Sequence, residues 1–363
     1  MRRQSCAQTT TVAALQRLKP GDTMRFPPYP RTGWGRLRML ILLGLLIALF
    51  LVVWLVTIRM PGRAFAGPLP PLTPDQQALR ERLRHHVLRL ASEIGERGVA
   101  NPAAAVRAAA YLETELNAMG YTVAAQEYDA HGQRWRNLEA TLRGSAQADD
   151  IILVGGHYDT AEGAPGADDN SSGVAGVLEL ARSFAGKPAT RTIRFVFFGT
   201  EEPPSFPTSA MGSRHYADAA RARGDRIVAM LSIESIGYYD SDPGSQRYPF
   251  PLNLVYPDVG DFIGFVSNLR SGPLVRRAIA TFRRAAPFPT EGAAVPSWVP
   301  GVWWSDHWSF WRQGYLAIMI TDTAPFRNPF YHTAQDTPDK LDYGRMARVV
   351  DGLEAVVADL AGR

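Results

Sequence analysis

The chain has 363 residues, 46% hydrophobic and 20% charged, fractions that exclude wholesale disorder and collagen-like or low-complexity repeats. One cysteine, Cys6, excludes a disulfide framework and an all-thiolate zinc finger. The +4 net charge is uneven: residues 1–38 hold eight basic side chains against the single acid Asp22, a net of +7, which leaves −3 for residues 39–363. A weakly acidic body gives no electrostatic support to nucleic-acid binding.

The basic tail precedes Met39–Ile58, twenty residues without charge or proline. At 1.5 Å per residue such a helix spans roughly 30 Å, the thickness of a bilayer core. The run has no polar face, which argues against a buried core helix. A cleaved signal peptide ending at Ala64-Phe65-Ala66 is the competing reading, and the length of the apolar run favours an uncleaved anchor. The excess of basic residues before it predicts a cytoplasmic N-terminus and a periplasmic or extracellular body. Residues 59–73, with four prolines and two glycines, read as a semi-rigid stalk, and residues 74–363 as one domain.

Thr73-Pro74-Asp75-Gln76 has the form of a capping box, and Leu79, Leu83, Val87, Leu90 and Ile94 follow at helical spacing. A second helix is predicted from Asn101-Pro102 to Gly120. Tyr121–Tyr128 and Leu138–Leu142 read as strands joined by a turn near His131-Gly132. Further strands are expected at 151–155, 193–198, 227–233 and 317–320, and helices at 171–184, 209–223 and 346–360. This alternation predicts a three-layer αβα sandwich with a mixed, mostly parallel central sheet. No repeat at solenoid periods is present.

In such sheets the active site lies beyond the carboxyl ends of the strands. There the chain places His157 and Asp159, then Asp168-Asp169, then Glu201-Glu202, then Glu234, and finally His332. A lone histidine at a strand end is more often a hydrogen-bonded structural residue than a ligand, and paired acids are often solvated or lie at a helix N-terminus. Neighbouring carboxylates at the mouths of apolar strands are nonetheless costly without a cation, and imidazole and carboxylate are ligands that zinc accepts.

The segments GGHYDT, GADDNSSGVAG, FFGTEE, SIESIGYY and NPFYHTAQDTPDKLDY resemble, in order and spacing, the di-zinc exopeptidase superfamily of leucyl-type aminopeptidases, glutamate carboxypeptidase and glutaminyl cyclases. The resemblance covers roughly residues 75–360. It implies two Zn2+ ions, one held by His157 and Glu234 and one by Glu202 and His332, with Asp169 bridging them. It also implies that Asp159 orients the His157 imidazole and that Glu201 is the general base. Glu234 stands where many members have Asp, and Pro203–Thr208 replaces a shorter glycine-containing turn. The implied function is a membrane-anchored aminopeptidase acting on peptides with free N-termini. Glutaminyl-cyclase-like acyl transfer, carboxypeptidase or dipeptidase activity, and a non-enzymatic binding ectodomain are the alternatives.

A Ser-Asp-His stretch often lines the substrate cleft in that superfamily, so Asp306 and His307 are expected there, with helix capping by Asp306 as the rival reading. Five tryptophans between Trp298 and Trp311 read as packing under an irregular loop or as an aromatic wall for an apolar substrate residue. Arg327 reads either as a partner for a substrate carboxylate or as an exposed side chain.

Overall fold

The computed structural model describes residues 33–363, so Cys6 and most of the basic tail lie outside the described residues. The chain divides at Val52 into an N-terminal unit and a body, Val53–Arg363. The N-terminal unit's described residues belong to helix α1 (Gly33–Thr57), in which no side chain is buried. Its length and composition suit a membrane span and equally a signal sequence.

The body opens on α2 (Pro74–Val87), where the Thr73 hydroxyl accepts the Gln76 N–H at 3.2 Å and the Gln76 side chain accepts the Thr73 N–H, completing the capping box. The axis runs on as a wider helical turn, Leu88–Ile94. Then come α3 (Pro102–Ala118), the hairpin β1 (Val123–Ala130) and β2 (Gln133–Leu142), β3 (Gln147–His157), α4 (Gly173–Phe184), β4 (Arg191–Phe198), α5 (Gly212–Arg223) and β5 (Arg226–Glu234). The remainder comprises β6 (Ile263–Ser267), α6 (Gly272–Ala285), β7 (Thr290–Ala294), α7 (His307–Arg312), β8 (Ala317–Thr321), the short α8 (Ala324–Arg327) and α9 (Tyr343–Ala361).

The eight strands form one sheet in the order β1-β2-β4-β3-β5-β8-β6-β7. Pairs β4–β3, β3–β5, β5–β8 and β6–β7 are parallel, whereas β1–β2, β2–β4 and β6–β8 are antiparallel. Helices α2, α3, α4, α6 and α9 form the layer on one face, and α5 with α7 cover the other. The core is split accordingly: β3 turns Ile152 and Val154 toward the larger layer and Ile151 and Leu153 toward the smaller. Burial on both faces explains why this strand is a continuous apolar run.

The expected three-layer sandwich is therefore present, with three departures. The β6–α6–β7 unit was not anticipated, because Ile263–Ser267 is short and Thr290–Ala294 contains Glu, Gly and Ala, all poor strand formers. Tertiary packing orders it: β6 pairs with β8 and sets Phe265 edge-on to Phe282 of α6. The helix expected from Ser171 starts at Gly173, since Asn170 leaves helical geometry and its side chain accepts the Gly173 N–H at 3.1 Å. Residues 59–73 contain no helix or strand, yet Met60 is buried near Gly292 of β7, and Arg283 donates to the Pro61 carbonyl at 3.0 Å.

Candidate metal centre

The carboxyl ends of β3, β4 and β5 converge. His157 is the last residue of β3, Glu201 and Glu202 follow β4, and Glu234 ends β5. Asp169 comes from the turn before α4, and His332 from the loop after α8. Three overlapping groups result: His157–Asp169–Glu234 and Asp169–Glu202–His332, two clusters joined at Asp169, and His157–Glu201–Glu202.

The spacing within them is that of ligands around a common ion. Two donors about 2.0 Å from a tetrahedral zinc are about 3.3 Å apart. His157 Nε2 lies 3.2 Å from Asp169 Oδ1 and 3.2 Å from Glu234 Oε2. His332 Nε2 lies 3.1 Å from Asp169 Oδ2 and 3.1 Å from Glu202 Oε2. The two carboxylate oxygens of Asp169 thus face two different imidazoles. His332 Nε2, Asp169 Oδ1 and Glu202 Oε1 are buried without a hydrogen-bond partner, as donors aimed at a cation would be. The donor set fits zinc.

Electrostatics point the same way. Burial pushes Glu202 up to about 8, with Asp169 adding to the rise and His332 opposing it. Burial likewise raises Glu201 well above the carboxylate range, and His157 counters while Glu202 and Glu234 reinforce. Burial alone would hold His157 neutral, yet Glu234 and Glu201 carry it well above its ordinary value. His332 reaches about 11 against the pull of burial, through Asp169 and Glu202. Without metal, protons on these groups substitute for the missing positive charge.

Glu201 stands slightly apart, its Oε2 4.0 Å from His157 Nε2. Asp159 anchors the Glu pair: its two oxygens accept the N–H groups of Glu201 at 2.9 Å and Glu202 at 3.1 Å, and Oδ1 lies 3.4 Å from His157 Nδ1. Thr200 and Ser235, which adjoin cluster residues, and His332, a member of one cluster, hold positive φ values of 52, 47 and 57°, conformations that cost non-glycine residues energy and gather at functional sites.

Sequence reasoning missed the residues that hold this assembly. Arg97, fully buried, donates to the carbonyls of Tyr158, Pro165 and Gly166 and to Ser171 Oγ, tying the end of β3 to the Asp169 turn. Asp336 accepts the N–H groups of Asp168 and Asp169 at 2.9 and 3.1 Å. Ser305 donates to Glu234 Oε2 at 2.7 Å. Asp336 and Ser305 lie inside polar motifs visible in the sequence; Arg97 carries no local signal.

Beside Glu234 opens a cavity with about 840 Å³ of empty space, part of it open to solvent. Neither Asp306 nor His307 lines it. His307 is buried instead, Nε2 2.8 Å from the Val302 carbonyl and its ring edge-on to Trp311. Asp306 sits at the start of α7 without capping it, buried and unpartnered, and burial pushes its carboxyl up to about 7. Arg327 is not exposed: it donates through Nε to Gln246 Oε1 and through Nη1 to the Phe262 carbonyl inside the body, with Nη2 left without a partner among the described residues. Of the five tryptophans only Trp304 lines the cavity, stacked on Phe326; Trp303 stacks on Phe206, and Trp298 is exposed.

Residues 137–357 match the model of Peptidase family M28, a span that contains both clusters and Glu201. The chain belongs to peptidase family M28. This membership makes it a zinc metallopeptidase. The M28 chain is 38% identical over 293 residues to the uncharacterized protein YfbL of Escherichia coli, covering 78% of this chain and 88% of that one. It is 29% identical over 226 residues to a probable leucine aminopeptidase of Trichophyton verrucosum, where it spans 58% of its own length and 53% of the relative's. Its fold is similar to that of BSAP, a zinc aminopeptidase from Bacillus subtilis, with a TM-score of 0.63 at 14% identity over 77% of this chain and 95% of the other.

Proposed function

We propose that the protein is a membrane-anchored aminopeptidase that removes residues from the N-termini of peptides, with two zinc ions per chain. The observation that carries this reading is the division of the Asp169 carboxylate between His157 and His332. His157 and Glu234 would hold one ion, Glu202 and His332 the other, and Asp169 would bridge them. Zinc, when bound, supplies Lewis acidity that lowers the pKa of water and polarises the scissile carbonyl.

Glu201 is the general base. It groups with His157 and Glu202 but lies outside the two sets that share Asp169, and burial gives it the raised proton affinity a base working near neutrality needs. It takes the proton of the attacking water and returns it to the leaving amine. Asp159 holds the Glu201 backbone and steadies the His157 ring. The α1 helix anchors the chain in a bilayer through residues 39–58, with the N-terminus cytoplasmic and the body beyond the membrane.

The test uses the full-length chain in detergent, chelated and then reloaded with zinc, and follows amino-acid release by mass spectrometry from peptides with free or acetylated N-termini. Zinc-dependent release confined to free N-termini is expected. Glu201→Gln keeps its zinc and loses about 10²- to 10⁴-fold in kcat. Release from acetylated peptides would instead indicate carboxypeptidase action, and near-wild-type turnover in Glu201→Gln would remove it as the base.

A further inference from the structure

The register of β5, β8, β6 and β7 sets Glu234 opposite Thr321, Thr321 opposite Gly264, and Gly264 opposite Glu291. Directly paired residues share a sheet face, so these four form a straight row, about 14 Å from first Cα to last at roughly 4.8 Å per strand. All four line the cavity beside Glu234. The facing is fixed independently by Gly292, next to Glu291, which points to the opposite side: a Cβ added there would meet Ile279 of α6 at 2.9 Å. Gly264 places no side chain in the row, leaving the floor open between Glu234 and Glu291. The walls are apolar, with Leu252, Val266, Val302, Trp304 and Phe326.

Glu291 does not belong in such a wall on packing grounds. Its carboxylate has no hydrogen-bond or ion-pair partner among the described residues. The nearby Arg283 directs its donors to Thr290 Oγ1, the Thr290 carbonyl and the Pro61 carbonyl. Burial pushes the Glu291 carboxyl up, with Arg283 opposing and Asp261 reinforcing. No lysine or arginine lines the cavity. Glu291 is half-buried and its carboxylate still reaches water, so a cation entering along the apolar slot meets a negative charge that no protein group compensates.

We infer that this cavity receives the side chain of the substrate's N-terminal residue and that Glu291, at its far end, selects a cation on a long aliphatic stem, arginine or lysine. The inference rests on the aminopeptidase reading above. Such side chains bury their methylenes along apolar walls and present a charged head, and a guanidinium pairs with a carboxylate through two hydrogen bonds. Leucine or norleucine fills the slot but leaves Glu291 unpaired. The row thus separates two tasks on one sheet face, ligation at Glu234 and recognition at Glu291.

The zinc-loaded full-length protein is assayed on aminoacyl-methylcoumarin amides of arginine, lysine, leucine and norleucine, the last matching lysine's stem without the ammonium. The lysine and arginine amides should exceed the norleucine amide in kcat/KM by about 10- to 100-fold. Glu291→Gln should abolish that ratio by lowering the basic substrates while norleucine turnover holds, which also shows that the variant is folded. A lysine-to-norleucine ratio near one, or a ratio unchanged in Glu291→Gln, overturns the inference. If no amide is cleaved, the aminopeptidase reading fails by itself, and calorimetry of L-argininamide with chelator-treated protein decides the pocket. Binding that Glu291→Gln removes retains it; no binding, or binding indifferent to the substitution, overturns it.

Discussion

The carboxylate of Asp159 accepts the backbone N–H of Glu201 at 2.9 Å, so a residue just past the end of β3 fixes the chain just past the end of β4. The other Asp159 oxygen does the same for Glu202 at 3.1 Å. An asparagine there keeps one acceptor and turns an NH2 group toward the second N–H. Asp159→Asn should therefore lower kcat or zinc affinity by about 10- to 100-fold with KM little changed, as parallel kinetics and zinc titration would read. Loss of KM alone would assign Asp159 to substrate binding.

Metal content is the direct check on the clusters. His332→Ala removes an imidazole from one cluster only and should reduce tightly bound zinc from two ions to one per chain. Asp169→Ala removes the shared carboxylate and should reduce both. Elemental analysis after dialysis reads the difference, and unchanged stoichiometry in either variant would contradict the assignment.

The metal-free protein should lose stability as pH rises from about 5 to about 8. Glu202 titrates near 8 when folded against an ordinary 4.5, so over this interval the folded state binds more protons than the unfolded chain, and stability falls as they leave. His332, raised to about 11, acts in the same direction: its contribution is complete below about 6.5 and declines above that pH. Zinc reverses the trend, because its ligands must be deprotonated to bind. Melting temperatures of chelated and zinc-loaded protein across this range should diverge with rising pH, and parallel curves would contradict the charge assignment.

Arg97 is expected to matter as much as any ligand for the integrity of the site. Its guanidinium reaches the Tyr158 carbonyl and the 165–171 turn at once, a fork that a lysine ammonium cannot reproduce. Arg97→Lys should destabilise the body by about 2–4 kcal/mol and weaken zinc binding through the loosened Asp169 turn. Denaturant unfolding of the zinc-loaded and chelated variant separates the two effects: a loss of zinc affinity without loss of stability, or neither, would contradict this role.

The clustering of the proposed metal-binding groups was legible in the sequence because each lies at the end of an apolar run or in a short polar motif, and strand ends in a parallel sheet meet in space. The three-layer arrangement was legible for the same reason, from strands buried on both faces. The cavity was not. Its floor rests on β6 and β7, whose Gly264 and Glu291 contradict strand propensity and acquire meaning only through register with Glu234. Arg97 and Arg327 are buried cations that donate mostly to carbonyls distant in sequence, and no local pattern distinguishes them from surface arginines. Asp306 and His307 do not line the cavity beside Glu234, because a motif fixes residue types without fixing which way the helix start of α7 turns them.

Thr200, Ser235 and His332 carry left-handed backbone where the two carboxylate–imidazole clusters meet, each holding about 1–2 kcal/mol of conformational energy that glycine would release. A screen for thermal tolerance would thus favour glycine at Thr200 and Ser235, whose variants would be sturdier and slower, whereas at His332 glycine would also remove a proposed zinc donor. Heat resistance and catalytic competence draw here on the same few torsion angles, and the rest of the body is where durability can be raised without that exchange.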